Sequence, residues 1–357
     1  MALLPTAAAG YARAEAEPMH IRRPSSAVTV SGAVVLLAWL SNQPGFLASA
    51  PAHADGPSPR YAHQMMTFDD RRGQILLFGG AGRAQSYGDL WAFDDAGWHR
   101  LSSEGPPERD SGVFVYDSVR DRSVLYGGRN ATGELHDTWE WDGSRWHAMA
   151  STGPGASVHG AAAFDRATGS VVVLFPILVP GRQPRPLPSE TWTWNGRQWS
   201  RVAAATTPDD VMPTAMTAEL STGVVYLLVS HFGSDPTGVP AGPTELWAWT
   251  GRGWRRTPGS PPALAEALQA NMSPAGPRGL LLYHAGEPAE QRGTWKWERD
   301  TWTRLASEGP SPRTVHVMAY DSKRGYVALF GGSAQRTRLG DTWTWDGRAW
   351  REFADRR

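Results

Sequence analysis

Three arginines occupy equivalent places in a recurring pattern and have the chemistry to bind an anion. Arg60, Arg109 and Arg313 each precede a strand-like run that ends in Phe-Asp or Tyr-Asp. A guanidinium offers rigid paired donors to a carboxylate, phosphate or sulfate. Because the position recurs, we favour a structural role in which each arginine ties a loop to backbone carbonyls. Ligand binding is the alternative.

Three histidines lie close to these positions and could bind zinc or copper if they converged on one point. His63 and His316 follow Arg60 and Arg313 by three residues, and His159 lies in the corresponding stretch of another unit. His316 is five residues before the Asp that ends its run, whereas His63 and His159 are six before theirs. Because side chains alternate along a strand, we predict opposite faces, no metal site and no cofactor. His316 stays a candidate ligand-binding residue.

Two long loops and one acidic pair complete the candidate binding residues. Long loops are either functional or merely disordered, and the two longest predicted here are residues 176–188 and 230–243. Asp209-Asp210 lies next to Val211, which replaces the arginine of other units, and Asp210 could pair with one of the repeated arginines. The remaining loop candidates are Arg182, Arg185, His231 and Asp235.

A tryptophan repeat indicates the elements that position these residues. Twelve of the eighteen tryptophans form six pairs, seven residues apart, that straddle a turn dipeptide such as Asp346-Gly347, and of the other six all but Trp39 lie within one of these stretches. Asp-Gly between strand-like runs predicts a two-residue hairpin turn, which would place Trp343 opposite Trp350. The twelve repeat positions are Trp91, Trp98, Trp139, Trp146, Trp192, Trp199, Trp247, Trp254, Trp295, Trp302, Trp343 and Trp350.

The repeat predicts six units of four antiparallel strands, here called a to d in chain order. In units 1, 2 and 6, strand b ends in Phe-Gly-Gly or Tyr-Gly-Gly, nine residues before an Asp-x-Trp. Units 3 to 5 have Phe175-Pro176, Leu228-Val229 and Tyr283-His284 at that position, and residues 263–272 of unit 5 could locally be helical. The units span about 58–101, 107–149, 156–202, 208–256, 261–305 and 311–353.

This pattern resembles the kelch repeat of β-propellers, also found in the central domain of galactose oxidase. The matching residues are Arg-x-x-His, Tyr/Phe-Asp, Phe/Tyr-Gly-Gly and Asp-x-Trp…Trp, and the kelch period is about 50 residues. The resemblance implies an all-β, six-bladed propeller over residues 55–357. In that topology the d–a and b–c connections share one face. We expect the ring to close by face packing between blades 1 and 6, without strand exchange.

Composition excludes several chemistries. The chain of 357 residues has no formal net charge, which gives no argument for nucleic acid or an anionic membrane as a partner. It has no cysteine, which excludes disulfides, thiolate metal ligands, a cysteine nucleophile and the tyrosine–cysteine copper radical site of galactose oxidase. We found no sequence motif of a metalloprotease, a phosphate-binding loop or a serine hydrolase.

Residues 1–54 read as a leader with a secretory signal peptide. Arg22 and Arg23 precede an apolar run over residues 27–40, and Ala52-His53-Ala54 is a cleavage pattern. We expect translation to begin at Met19, cleavage to follow Ala54, and the mature chain to have no membrane span. An uncleaved anchor is the alternative, although the run is shorter than the roughly 20 residues a spanning helix needs.

From these features we expect a secreted, monomeric propeller without catalytic residues, which binds a protein or a glycan on the d–a and b–c face. Rigid scaffolds present function on loops. The alternative is a secreted carbohydrate-active enzyme on the same scaffold, which would gather a carboxylate with a His or Tyr in one pocket.

Overall fold

The protein is a six-bladed β-propeller, as the repeat predicts, and each blade is one four-stranded antiparallel sheet. The computed structural model describes residues 56–150, 153–155, 158–177, 188–203, 207–231, 243–259, 261–262, 270–286 and 291–354. The predicted leader therefore lies outside the described residues. None of the described residues forms a helix that could cross a membrane.

The strands follow one another around the ring in chain order. Blade 2 carries an additional two-stranded hairpin, β7–β8, in its b–c loop. Blades 1 and 2 contain β1 (Met66–Asp69), β2 (Gln74–Phe78), β3 (Leu90–Asp94), β4 (Gly97–Ser102), β5 (Val113–Asp117), β6 (Arg122–Tyr126), β7 (Arg129–Asn130), β8 (Gly133–Glu134), β9 (Thr138–Trp141) and β10 (Trp146–Ala150).

Blades 3 to 6 repeat the same order. Their strands are β11 (Ala161–Asp165), β12 (Ser170–Pro176), β13 (Ser189–Trp194), β14 (Trp199–Arg201), β15 (Val211–Ala218), β16 (Val225–His231), β17 (Thr244–Trp249), β18 (Trp254–Arg256), β19 (Ala270–Pro274), β20 (Leu280–His284), β21 (Gly293–Glu298), β22 (Thr301–Ala306), β23 (Val317–Asp321), β24 (Tyr326–Ala334), β25 (Thr337–Trp345) and β26 (Trp350–Glu352). Of the stretch that could have been helical, residues 270–272 are in β19, and residues 263–269 lie outside the described residues.

Strand b of each blade is almost entirely buried because neighbouring blades cover both faces of the sheet. β12, for example, is buried at all seven positions. Such strands read as continuous apolar runs rather than as alternating patterns. The apolar contacts between blades are therefore what holds the ring together, and no blade buries its own faces alone.

The ring closes between blades 1 and 6 by packing, without strand exchange, as expected. Each of these sheets takes all four strands from one end of the chain. The rings of Phe93 and Phe353 meet edge-on at 4.9 Å across the junction. The backbone of Arg60 exchanges hydrogen bonds with Leu339 and Gly332 of blade 6, so the segment before strand a attaches to the last blade without adding a strand.

The predicted register of the Trp hairpins was wrong by two residues. Trp345, not Trp343, pairs with Trp350, and Trp343 pairs with Glu352. The loop has four residues because the Asp346 carboxylate accepts hydrogen bonds from the backbone N–H groups of Arg348 and Ala349. A shift of two keeps every side chain on its face of the strand, so the indoles still pack together, with Trp345 and Trp350 at 5.6 Å.

The last tryptophan of a blade also bonds to the preceding blade. In four blades its indole Nε1 donates to a threonine in strand c of the preceding blade. This threonine comes directly before the first tryptophan of that strand. These pairs are Trp98–Thr342 (2.8 Å), Trp199–Thr138 (2.9 Å), Trp254–Thr191 (2.9 Å) and Trp350–Thr294 (2.7 Å). Where the neighbouring position is Leu90 or Leu246, the buried Nε1 atoms of Trp146 and Trp302 have no partner among the described residues.

Candidate functional site

The three repeated arginines are buried inside the scaffold. Arg60, Arg109 and Arg313 are at most 2% exposed. Each donates through Nη1 to the first glycine of its blade's Gly-Gly pair, at 2.9–3.1 Å. Each also forms a two-pronged ion pair with the Asp of Asp-x-Trp, at 2.5–3.1 Å. The guanidinium groups thus fasten the start of strand a to the start of strand c.

The aspartates of these pairs are held ionised, and each binds a tryptophan as well. Burial opposes ionisation of Asp89, Asp137 and Asp341, but the hydrogen bonds and charge of the arginine outweigh it, and the pKa of each carboxyl is lowered. The same carboxylates accept from the indole N–H two residues later at 2.7 Å. These contacts account for the recurrence of all three residue types.

In blades 3 and 4, different residues form the ion pair that binds the first tryptophan of strand c. Glu190 and Glu245 replace the aspartate and accept from Trp192 and Trp247 at 2.9 Å. Their arginine partners come from strand d, where Arg201 and Arg256 approach to 2.9 and 3.1 Å. These arginines are mostly exposed, unlike the buried ones of blades 1, 2 and 6. This substitution explains why the arginine at the start of strand a is missing there.

The histidines are brought near the axis but do not form a metal centre. The rings of His63 and His159 lie 5.4 Å apart. The ring of His316 instead packs edge-on against that of Tyr283, with centroids 5.7 Å apart. Among the described residues no group of three His, Asp or Glu side chains is arranged to hold a metal ion. Burial lowers the pKa of all three imidazoles to about 3, so they are neutral at physiological pH.

The remaining predicted loop candidates are dispersed or lie outside the described residues. His231 ends β16 and places Nε2 3.3 Å from the Glu245 carboxylate, within the ion pair of blade 4. Asp210 has a positive φ of 56° just before β15, at the loop-side end of the channel. Arg182, Arg185 and Asp235 lie outside the described residues. The described structure does not bring these candidates together with the repeated arginines.

A cleft that sequence reasoning missed lies on the d–a and b–c face, called here the loop face. Its volume is about 530 Å³, and it lies between the b–c loop of blade 1, the d–a loop that follows β4, and the β7–β8 hairpin. We call it the loop cleft. Its lining includes Gln85, Tyr87, Arg100, Pro107 and Glu108. The sequence signal was present in the short Pro106-Pro107 connection, but loop length pointed to blades 3 and 4 instead.

Tyr87 is held rigidly in this cleft. Its backbone N–H donates to Gly80 and its carbonyl accepts from Arg109, so both neighbouring units fix it. The Arg60 guanidinium lies 3.8 Å from the ring centroid, a cation–π contact. Gly88 follows directly, and a Cβ there would come within 3.1 Å of the Glu108 nitrogen. A side chain at this position would therefore press against the backbone of the neighbouring loop.

The polar groups around Tyr87 are available to a ligand. Gln85, Arg100 and Glu108 are exposed, and none has a side-chain hydrogen bond or ion pair to another described residue. They supply an amide, a cation with paired donors and a carboxylate beside one aromatic ring. A few convergent polar groups beside an aromatic surface are typical of ligand sites.

No protein-family model matches the chain, and no curated protein matches it either. The resemblance to kelch repeats consequently rests on the residues of the repeat. The structure gives those residues a shared physical role, since the Arg, Gly-Gly, Asp and Trp of one unit all meet in one network.

Proposed function

We propose that this protein is a secreted, non-catalytic kelch-type propeller that binds a protein or a glycan through its loop face. The observation that carries the proposal is the loop cleft, in which a fixed aromatic ring lies beside three polar side chains without protein partners. Its volume of about 530 Å³ is within the range of about 300–1,000 Å³ typical of ligand pockets. The leader pattern supports export, and the repeat residues support the kelch assignment.

A carbohydrate-active enzyme is the second candidate, because the loop cleft contains both a carboxylate and a tyrosine, Glu108 and Tyr87. No hydrogen bond links these two side chains in the described structure. A hydrolase needs a carboxyl group placed for proton transfer. The two candidates therefore differ in what Glu108 does: an enzyme loses turnover without it, whereas a binder loses only affinity.

The test is a glycan array and a pulldown with the full-length protein expressed with its own leader. We expect saturable binding that Arg100→Ala and Glu108→Gln each weaken without changing the melting temperature. The matched control is Arg252→Ala, which removes an exposed arginine from a c–d turn on the other face. Arg313→Ala is unsuitable, because that side chain is part of the buried network.

The proposal fails if neither variant changes binding, or if Arg252→Ala weakens binding as much as the loop-cleft variants do. If the protein releases a product from a bound glycan and Glu108→Gln abolishes that release, the protein is an enzyme instead.

A further inference from the structure

The central channel is a second cavity, and it opens on the face opposite the loop cleft. Its volume is about 400 Å³. The rim is formed by residues of the a–b turns, including Asp70, Ser118, Arg166 and Ser322. We call this side of the disc the turn face. A ligand in the channel therefore enters from the opposite side to one bound in the loop cleft.

The channel is closed at its inner end. The amide of Gln64 in blade 1 reaches across the axis and donates to the carbonyl of Thr214 in blade 4, at 3.1 Å. Beyond this bridge only a small space of about 30 Å³ remains, next to His159 and His316. That space is about the size of one water molecule. The channel is accordingly a blind pocket with a polar end.

The walls of the pocket combine adaptable apolar side chains with polar ones. Met66, Met216, Met272 and Met318 line it from four different blades, together with aromatic residues such as Phe114. Methionine is unbranched, polarisable and able to fit irregular apolar shapes, and its sulfur contacts aromatic rings favourably. These methionines and Phe114 provide contacts for an apolar body, particularly an aromatic one.

One side-chain polar atom of the described pocket lining lacks a partner, and further imidazole nitrogens without one belong to His159 and His316, beside the small space beyond the bridge. His63 lines the pocket, and its Nε2 atom is buried with no hydrogen-bond partner among the described residues. A buried polar atom left without a partner costs free energy, which a ligand can recover by hydrogen bonding to it. The imidazole is neutral at physiological pH, because burial and then the nearby Arg129 charge lower its pKa.

The charged side chains that line the pocket have protein partners, and those of Glu219 are neutral hydrogen-bond donors. Arg166 at the rim lies 3.9 Å from Asp70 and also donates to Ser118. The Glu219 carboxylate accepts from the Thr222 hydroxyl and from the Gly279 backbone N–H. No described cation is left at the inner end to compensate an anionic ligand, and burying an unpaired charge is costly.

We propose that the channel binds an uncharged small molecule with an aromatic body and a single hydrogen-bonding group, which enters from the turn face and places that group against His63. This site is independent of the proposed loop-face function. The two sites lie on opposite faces and share no lining residue.

The probe is N-phenyl-1-naphthylamine, which is neutral, has one N–H donor and fluoresces when it leaves water. We expect saturable binding of one probe per chain of the full-length protein. The matched probe is 1-anilinonaphthalene-8-sulfonate, which has the same body and an added sulfonate. We expect it to bind at least about tenfold more weakly, because the pocket cannot neutralise its charge.

Two substitutions locate the probe. Ala218→Trp fills the pocket from β15 and should abolish binding; if that variant does not fold, Thr217→Phe blocks it from the same strand. His63→Phe removes the polar atom and should weaken binding about three- to tenfold. Its control is His159→Phe. His159 has a similar positive φ of 57° but does not line the pocket, so this variant should bind the probe as the parent protein does.

Three results would overturn the proposal. The first is no saturable binding of the neutral probe, and the second is equal or tighter binding of the sulfonate. The third is equal loss in His63→Phe and His159→Phe, which would show that the histidines act only through the fold. Loss of probe binding in the loop-cleft variant Arg100→Ala would likewise refute the channel as its site.

Discussion

Removing Arg313 should destabilise the whole propeller, although its position near the channel could suggest a ligand contact. Arg313→Met keeps the length and apolar stem of the side chain but deletes the bonds to Gly331, Ser311 and Asp341. The Asp341 carboxylate then remains without its cation. Breaking a buried ion pair from one side costs about 3–5 kcal/mol.

The expected loss lies near the lower end of that range, about 3 kcal/mol, because water can partly compensate the carboxylate. The Asp341 side chain is 21% exposed. Unfolding in urea, followed by tryptophan fluorescence, measures the loss. The control in the same blade is Arg351→Met: this side chain is 75% exposed and its ion pair with Asp346 spans 3.3 Å. Such a pair should contribute less than about 1 kcal/mol.

A double-mutant cycle sharpens the test. Arg313→Met combined with Asp341→Asn should be clearly more stable than the sum of the single changes predicts, since the second substitution removes the unpaired charge. The reasoning is refuted if Arg313→Met costs no more than Arg351→Met, or if the two losses are additive. Unchanged stability together with loss of a bound ligand would reassign Arg313 to binding.

Two further predictions concern stability. First, the pKa of His159 and His316 is about 3 in the folded protein, against 6.5 in the unfolded chain. Between these pH values the unfolded chain binds more protons than the folded protein. The free energy of unfolding should therefore fall below pH 6.5 by about 1.4 kcal/mol per pH unit for each histidine, until about pH 3. Urea titrations from pH 7 to 4 check the slope, which His316→Phe should reduce and which a flat profile would contradict. Second, Thr294→Val keeps the shape of the residue but leaves the Trp350 N–H without its acceptor. The free energy of unfolding in the same assay should fall by about 1–2 kcal/mol. A decrease no larger than that of an exposed Thr→Val change would show that this hydrogen bond does not stabilise the fold.

Much of the architecture was predictable because the tryptophans recur for a physical reason. Each unit needs an aromatic pair between sheets that are covered on both faces. The tryptophan repeat is therefore visible even in units whose other repeat residues differ. The hairpin register was not predictable in the same way. Asp346-Gly347 fits the centre of a two-residue turn and also the start of a four-residue loop. Only the bonds from the Asp346 side chain to the backbone decide between them.

The candidate site was predicted less well, because composition cannot show which partners satisfy a side chain. Arg60 stands out in the sequence as an anion ligand, yet its partner Asp89 is 29 residues away and takes up its charge. Conversely, Gln85 and Glu108 have no distinctive spacing. They become a site only because Gly88 lets two connections approach closely. Loop length predicted a binding site at blades 3 and 4, whereas short loops form the cleft.

The pattern of indole–threonine bonds divides the ring in an unexpected way. Four of the six junctions have the bond, and the two that lack it, at Leu90 and Leu246, are those between blades 1 and 2 and between blades 4 and 5. These junctions lie diametrically opposite each other. The ring therefore lacks this bond at both ends of a single diameter, where other contacts join the blades, such as the Arg72–Asp121 ion pair between blades 1 and 2 and the bond from the Gly279 N–H to Glu219 between blades 4 and 5. One end of this diameter lies beside the loop cleft, so the two blades that enclose the cleft meet without an indole–threonine bond.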